Sequence, residues 1–244
     1  MSALKYAYIN ALVRSLKTKE ISKEKLFECN NLSDLYSLLQ TTVYKNFLIS
    51  PKNDDLLISL KNYYLNLFFK ITKNLNKNEK HLFTLFFFEK NPNIDDLKKA
   101  VFKISKNDKK DIEKIIKNYV DVLNLITILK YKIIYSLKIE KFFAYLIPYG
   151  NKSLSELKEI ASSENLYDFS SKLGLNVNDY SLVKKALFDN YYDFLRQVWY
   201  GYPFKLSVPF VFLQIKQKEI KNISSFVIGL KYSLDKQEIK KMVV

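Results

Sequence analysis

The 244-residue chain is 48% hydrophobic, enough to bury a core in one large or two ordinary domains, which excludes a disordered protein. Its formal charge of +15 is nearly all lysine, with arginine only at Arg14 and Arg196, so the charge reads as a compositional bias and not as the bidentate arginine chemistry of specific nucleic-acid recognition. A lone Cys29 excludes an internal disulfide and a cysteine-ligated zinc site, and fits a reducing compartment with the cytosol as default.

In chain order, Ile9, Leu12, Val13 and Leu16 form one helical stripe, and the N-terminus lacks the unbroken apolar core of a signal peptide. The spacing predicts a helix over 54–72 through Leu57, Leu60, Tyr64 and Phe68, with Asp54 and Asp55 at its positive end. The apolar runs Leu82–Phe88 and Val122–Leu137 fall short of the ~20 residues of a membrane span, the second being interrupted by Lys130 and Lys132, and both are expected to be buried helix faces. Breaks are expected at Ser50–Asn53, Asn91–Asn93, Pro148–Asn151 and Gly201–Pro203, and a charged connector or helix start at Ser105–Asp111. Val208–Ile215 is expected to be an apolar helix, since Pro209 suits an early helical position. Only four glycines are present, which argues against Gly-rich hairpins, and the fold class is all-α.

One segment occurs twice. Ser22–Tyr44 and Ser153–Tyr180 both run from a serine to a leucine four residues on, then Asn-Leu-x-Asp, then a distant tyrosine. Asn62-Tyr63-Tyr64 follows the first copy and Asn190-Tyr191-Tyr192 the second, in the same order. A further motif, Asp121-Val-Leu-Asn124-Leu, returns as Glu219-Ile-Lys-Asn222-Ile and more weakly around Asp96. Val122, Leu125 and Leu129 share one helical face, as do Ile220, Ile223 and Val227, and Ile94, Leu97 and Val101. Asparagine is a mediocre helix former, so its return beside each stripe calls for a reason. The expectation is that Asn124, Asn222 and Asp96 hydrogen-bond the backbone of a neighbouring helix and fix how one unit docks on the next. A first-turn or solvated amide is the plainer alternative.

Catalytic chemistry finds little support. Cys29 and His81 lie about fifty residues apart in ordinary packing contexts, four scattered glycines cannot build a phosphate loop, and adjacent carboxylates such as Asp95-Asp96 point in different directions on a helix. No catalytic, cofactor-binding or metal-binding residue is expected. The aromatic clusters, Phe86–Phe88 among them, suit a core better than base stacking.

Several stretches carry a family resemblance: Tyr6-Ala-Tyr-Ile-Asn-Ala-Leu-Val-Arg14; Thr42-Val-Tyr44-Lys-Asn-Phe-Leu; Asp121-Val-Leu-Asn124-Leu-Ile-Thr-Ile-Leu-Lys130; Pro148-Tyr-Gly150 with Ser153-Leu-Ser-Glu-Leu157; and Glu219-Ile-Lys-Asn222-Ile. Each is weakly specific, but their order along essentially the whole chain resembles the C-type subunit of V/A-type rotary ATPases, whose eukaryotic counterpart is the d-type subunit. The resemblance implies a non-catalytic rotor part built of pseudo-repeated helical units in a funnel, peripheral on the cytoplasmic side of the membrane. Its partners would be central-stalk subunits of the D and F type and the proteolipid ring, with anionic lipid headgroups as a further contact for the basic surface. The family's basic residue after Asn-Leu is Ile126 here and Ser224 in the late copy, so a role for that charge does not carry over. Repetition marks units at 1–118, 119–216 and a reduced 217–244. Three full units would need roughly 300 residues, so a partial funnel is the alternative to a closed one. A free-standing basic helical adaptor for an acidic protein or nucleic acid is the competing function.

Overall fold

Helical periodicity becomes helix along the chain. The computed structural model describes residues 2–17, 21–89 and 93–243, with side chains for 6–16, 21–89 and 93–243, and these contain no strand. The helices are α1 (Ser2–Lys17), α2 (Lys23–Glu28), α3 (Leu32–Gln40), α4 (Asn53–Thr72), α5 (Lys77–Phe88), α6 (Ile94–Phe102), α7 (Lys106–Ile128), α8 (Leu154–Ala161), α9 (Leu166–Lys172), α10 (Tyr180–Trp199), α11 (Ser207–Lys231) and α12 (Lys236–Met242). Pro209 lies in the first turn of α11, where its missing N–H costs nothing. Asp54 and Asp55 occupy the first turn of α4. The expected break at Asn91 and Pro92 lies outside the described residues. None of the described helices is long and apolar enough to cross a membrane.

The chain divides into two compact units, residues 1–83 with 198–244, and residues 84–197. Compactness and sequence repetition partition the chain differently: the repeat boundaries at 118/119 and 216/217 fall inside α7 and α11, and 217–244 lies in the same compact unit as 1–83.

In the first unit α11 is buried almost all round, as a central helix must be, and packs chiefly on α4 and also on α1 and α12. Val208, Phe210–Leu213, Ile223, Phe226 and Val227 supply its side of the core, against the α4 face that carries Leu56, Leu60, Leu67 and Ile71, and Leu35 and Leu39 of α3 are buried in the same unit. Phe83 meets Phe210 edge to face with centroids 5.1 Å apart. The Tyr6 hydroxyl donates to Glu79 at 2.8 Å, which ties α1 to α5. Gly229 admits Ile239 of α12, whose side chain occupies the space of a Cβ. Lys236 secures the start of α12 by donating to the Phe27 carbonyl at 2.9 Å and to Asn30 at 2.8 Å.

In the second unit α7 presents Ile112, Ile115, Ile116, Val122, Leu125 and Ile128 to the core, with α6 and α8 packed against it. Each such side chain, once fully buried, contributes about 1.5–3 kcal/mol. The apolar face stops where the helix does: residues 129–134 widen into a π-helix whose end is marked by the Tyr135 N–H bonding the Lys130 carbonyl at 3.1 Å. Ser136 follows with a left-handed φ of 51°. Two 3-10 turns, Ile139–Lys141 and Phe143–Tyr145, then lead to the loop before α8.

Candidate functional site

The sequence repeat survives as repeated geometry. Ser22 caps α2 by accepting from the Lys25 N–H, and Ser153 caps α8 by accepting from the Glu156 N–H, with Glu156 closing a capping box. Asn31 caps α3 at φ −149°, ψ 175°, and Asn165 caps α9 at φ −146°, ψ 178°. Both asparagines accept from the backbone N–H of the aspartate three residues on, at 2.9 Å. Asp34 in turn accepts from the Asn30 N–H at 3.0 Å, and Asp168 from the Glu164 N–H at 3.1 Å. The later tyrosines match as well, Tyr63 on α4 and Tyr191 on α10 being buried.

Each copy is fastened to a motif helix, α7 in the second unit and α11 in the first. In the second unit Asp121 accepts the Lys152 N–H at 3.0 Å through one carboxylate oxygen, and the Asn151 N–H and side-chain amide, each at 3.0 Å, through the other. One turn on, Asn124 holds both polar groups of one residue, donating to the Ile147 carbonyl at 2.9 Å and accepting its N–H at 2.8 Å. The pair at i and i+3 thus clasps the whole loop from 147 to 152 and delivers Ser153 to its capping position. Gly150 lies so close to Asp121 that a Cβ would collide with its carboxylate, and this approach explains the glycine.

In the first unit Glu219 does the corresponding work, accepting the Ile21 N–H at 3.2 Å, the residue directly before the Ser22 cap. Its second oxygen receives the ammonium of Lys216 at 2.5 Å, and that lysine is 0% exposed. Burial, with the charge of Glu219 added, pushes the Tyr63 phenol far up. Asn222 stands where Asn124 stands and is likewise buried. Asp96 is placed otherwise: it is a largely exposed first-turn acid of α6, 3.6 Å from Lys99. The backbone that meets Asn124 belongs to a loop of its own unit.

The clasp of the second unit opens onto a pocket of about 390 Å³ lined by Asn118, Asp121, Lys152, Leu187, Asn190 and Tyr191, among others. Asn118 stands where α11 has Lys216, and its short amide turns back to the Lys114 carbonyl at 2.8 Å. The acids Asp121 and Glu219 open both motifs and carry the fastening, and their equal offset from the asparagines was the signal that sequence reasoning passed over. Chemically the arrangement holds backbone; every oxygen of Asp121 is engaged by donors, so it is poorly placed to act as a base. Cys29 donates to the Lys25 carbonyl at 3.7 Å, and burial pushes its thiol up, away from a nucleophile. Among the described residues no group of three or more His, Cys, Asp or Glu is placed to hold a metal ion.

Comparison with known proteins adds the family. The sequence model of the ATP synthase (C/AC39) subunit family matches residues 90–242, which takes in both the Asp121 and the Glu219 motifs. The chain is also similar to the C-type subunit of the A-type ATP synthase of Methanocaldococcus jannaschii, 26% identical over 189 residues that make up 76% of this chain and 40% of that one. It therefore spans well under half the length of that relative. The chain belongs to the ATP synthase (C/AC39) subunit family, as its motif order indicates.

Proposed function

From this family membership we propose that the protein is a non-catalytic rotor subunit, joining the central stalk of a V/A-type ATPase to the membrane proteolipid ring and passing torque between them. It serves ion transport driven by ATP, or ATP synthesis in the reverse direction, as a peripheral subunit on the cytoplasmic side. Stalk subunits of the D and F type and the ring are its partners, and its helical units contribute to a funnel or partial funnel. The observation that supports this reading best is the doubled clasp: within each unit an acid on a long helix fastens the loop that starts the next helices. Such a build suits bearing load. On the same reading Asn124, and Asn222 at the corresponding place on α11, stiffen their own units, and Asn124→Ala, which frees the loop before α8, is expected to cost about 1 kcal/mol or more in urea unfolding.

Affinity capture of the tagged chain from native membranes, followed by cross-linking mass spectrometry, tests the function. Recovery of stalk and ring subunits is expected. Capture that repeatedly returns neither, with steeply salt-dependent binding to polyanions instead, would replace the rotor by a basic adaptor.

A further inference from the structure

Beyond its clasp, the second unit contains a pocket of about 750 Å³ where the π-helix, the 3-10 turns and α8 come together. Its charged lining is Lys132, Lys138, Lys158 and Glu140, over apolar walls that include Ile139 and Phe143. Lys158 stands over the Phe143 ring at 4.7 Å, which leaves its ammonium at the pocket. Among the described residues none of the three lysines has a carboxylate within ion-pair distance, Glu140 included. Three unneutralised ammonium groups around one partly enclosed space repel each other and focus a positive potential into it. A bound anion relieves that repulsion.

We propose that this pocket receives the phosphate of an anionic phospholipid headgroup, an inference that rests on the rotor reading for the protein's place at a membrane. The side chains around it fit that source. The positive charges at the pocket are lysines, compact point charges that attract a phosphate from any side. Ile134 at the end of the π-helix that supplies Lys132, Tyr135 directly after it, and Tyr145 on the 3-10 turn that supplies Phe143 are 49%, 54% and 63% exposed. Tyr131 stacks on Tyr145 at 5.7 Å, and Lys130 lies 5.5 Å from the Tyr131 ring centre. Exposed tyrosines and an aliphatic side chain beside lysines match the headgroup level of a bilayer, where amphipathic rings and ammonium groups both find partners.

The test is partitioning of the full chain onto vesicles of phosphatidylcholine, with and without phosphatidylglycerol. The wild type is expected to prefer the anionic vesicles, and K132Q/K138Q/K158Q to lose about tenfold or more of that partitioning. The charge-matched control K61Q/K70Q/K73Q, on the exposed face and C-cap of α4, is expected to lose little. An equal loss in the control would reduce the effect to net charge and overturn the site. Displacement of the wild type from vesicles by inorganic phosphate at matched ionic strength would make it a soluble-anion site, and displacement by polyglutamate a site for acidic protein; either overturns the lipid assignment. Tyr145→Ser, which leaves charge unchanged, is expected to weaken partitioning severalfold, and an unchanged value counts against the headgroup-level placement. Capture of stalk and ring subunits by the triple variant separates the two readings: it survives if only the lipid site fails.

Discussion

The two clasps perform one task with different chemistry. Asp121 spends both carboxylate oxygens on the loop before α8, and its short side chain demands that Gly150 come close. Glu219 is one methylene longer, gives one oxygen to the Ile21 N–H and leaves the other to a fully buried lysine. The first unit is thus closed by an ion pair, while the second has a shorter residue at the corresponding position and a pocket beside its acid. The backbone geometry of the repeat is preserved where the caps are, and the neutralisation of the acid is free to vary. What the two copies share is the fastening of an N–H next to a serine cap.

The comparison breaks most sharply at Lys216. Lys216→Met leaves the Glu219 carboxylate buried without its cation, and a loss of about 3–5 kcal/mol is expected. The single tryptophan, Trp199, is buried in the same unit, 5.2 Å from the Arg14 guanidinium, so its fluorescence in urea reads that loss directly. The double variant K216M/E219Q is expected to recover most of it; a double variant no better than the single would show that the ion pair is not what closes the unit. Next in size, Gly150→Ala drives a Cβ into the Asp121 carboxylate and is expected to cost about 1–3 kcal/mol. Hydrogen exchange of the amides of residues 151 and 152 should rise, while the Trp199 transition stays put if the two clasps are independent. Asn118→Lys offers the second clasp what the first has, an ammonium three residues before the acid, and is expected to add up to about 1 kcal/mol. Slower exchange at the same two amides would sharpen the equivalence, and faster exchange would deny it.

The smallest effect is one of pH. Burial, and secondarily the charge of Glu113, pushes the phenol of Tyr149, inside the second clasp loop, up to about 12. The folded unit favours the neutral phenol, so between the ordinary tyrosine pKa of about 10 and 12 the unfolded chain gives up its proton first and stability falls as pH rises. Ultraviolet titration should show several late-ionising phenolates, Tyr63 among them, and Tyr149→Phe should remove one of them. A titration unchanged by that substitution would mean that the loop lies open to water.

Much of this was written in the sequence because it is local. Ser22, Ser153, Asn31 and Asn165 are strong capping residues ahead of apolar periodicity, and each caps a helix where it stands. The all-α class followed from the same periodicity. The asparagines were visible as an anomaly, since a helix interior disfavours them, but their partners were not: Ile147 is 23 residues from Asn124, across a π-helix that no period announces. Lys216 was invisible in so lysine-rich a chain, because nothing short of tertiary packing distinguishes a buried ammonium from the solvated ones around it. Gly150 was legible as a turn residue and not as a point of close approach, which depends on Asp121 far earlier in the chain.

The bond between Ile21 and Glu219 spans 198 positions, and the whole of residues 84–197 is made between its two ends. During synthesis the unit begun first must wait, because α1, α2 and α4 leave the ribosome long before α11, the helix that packs against them. The unit begun second has all its segments in hand once residue 197 is through the exit tunnel. Vectorial translation therefore inverts the order of completion: the later-begun unit matures first, and the earlier-begun unit stays exposed to chaperones until α11 arrives.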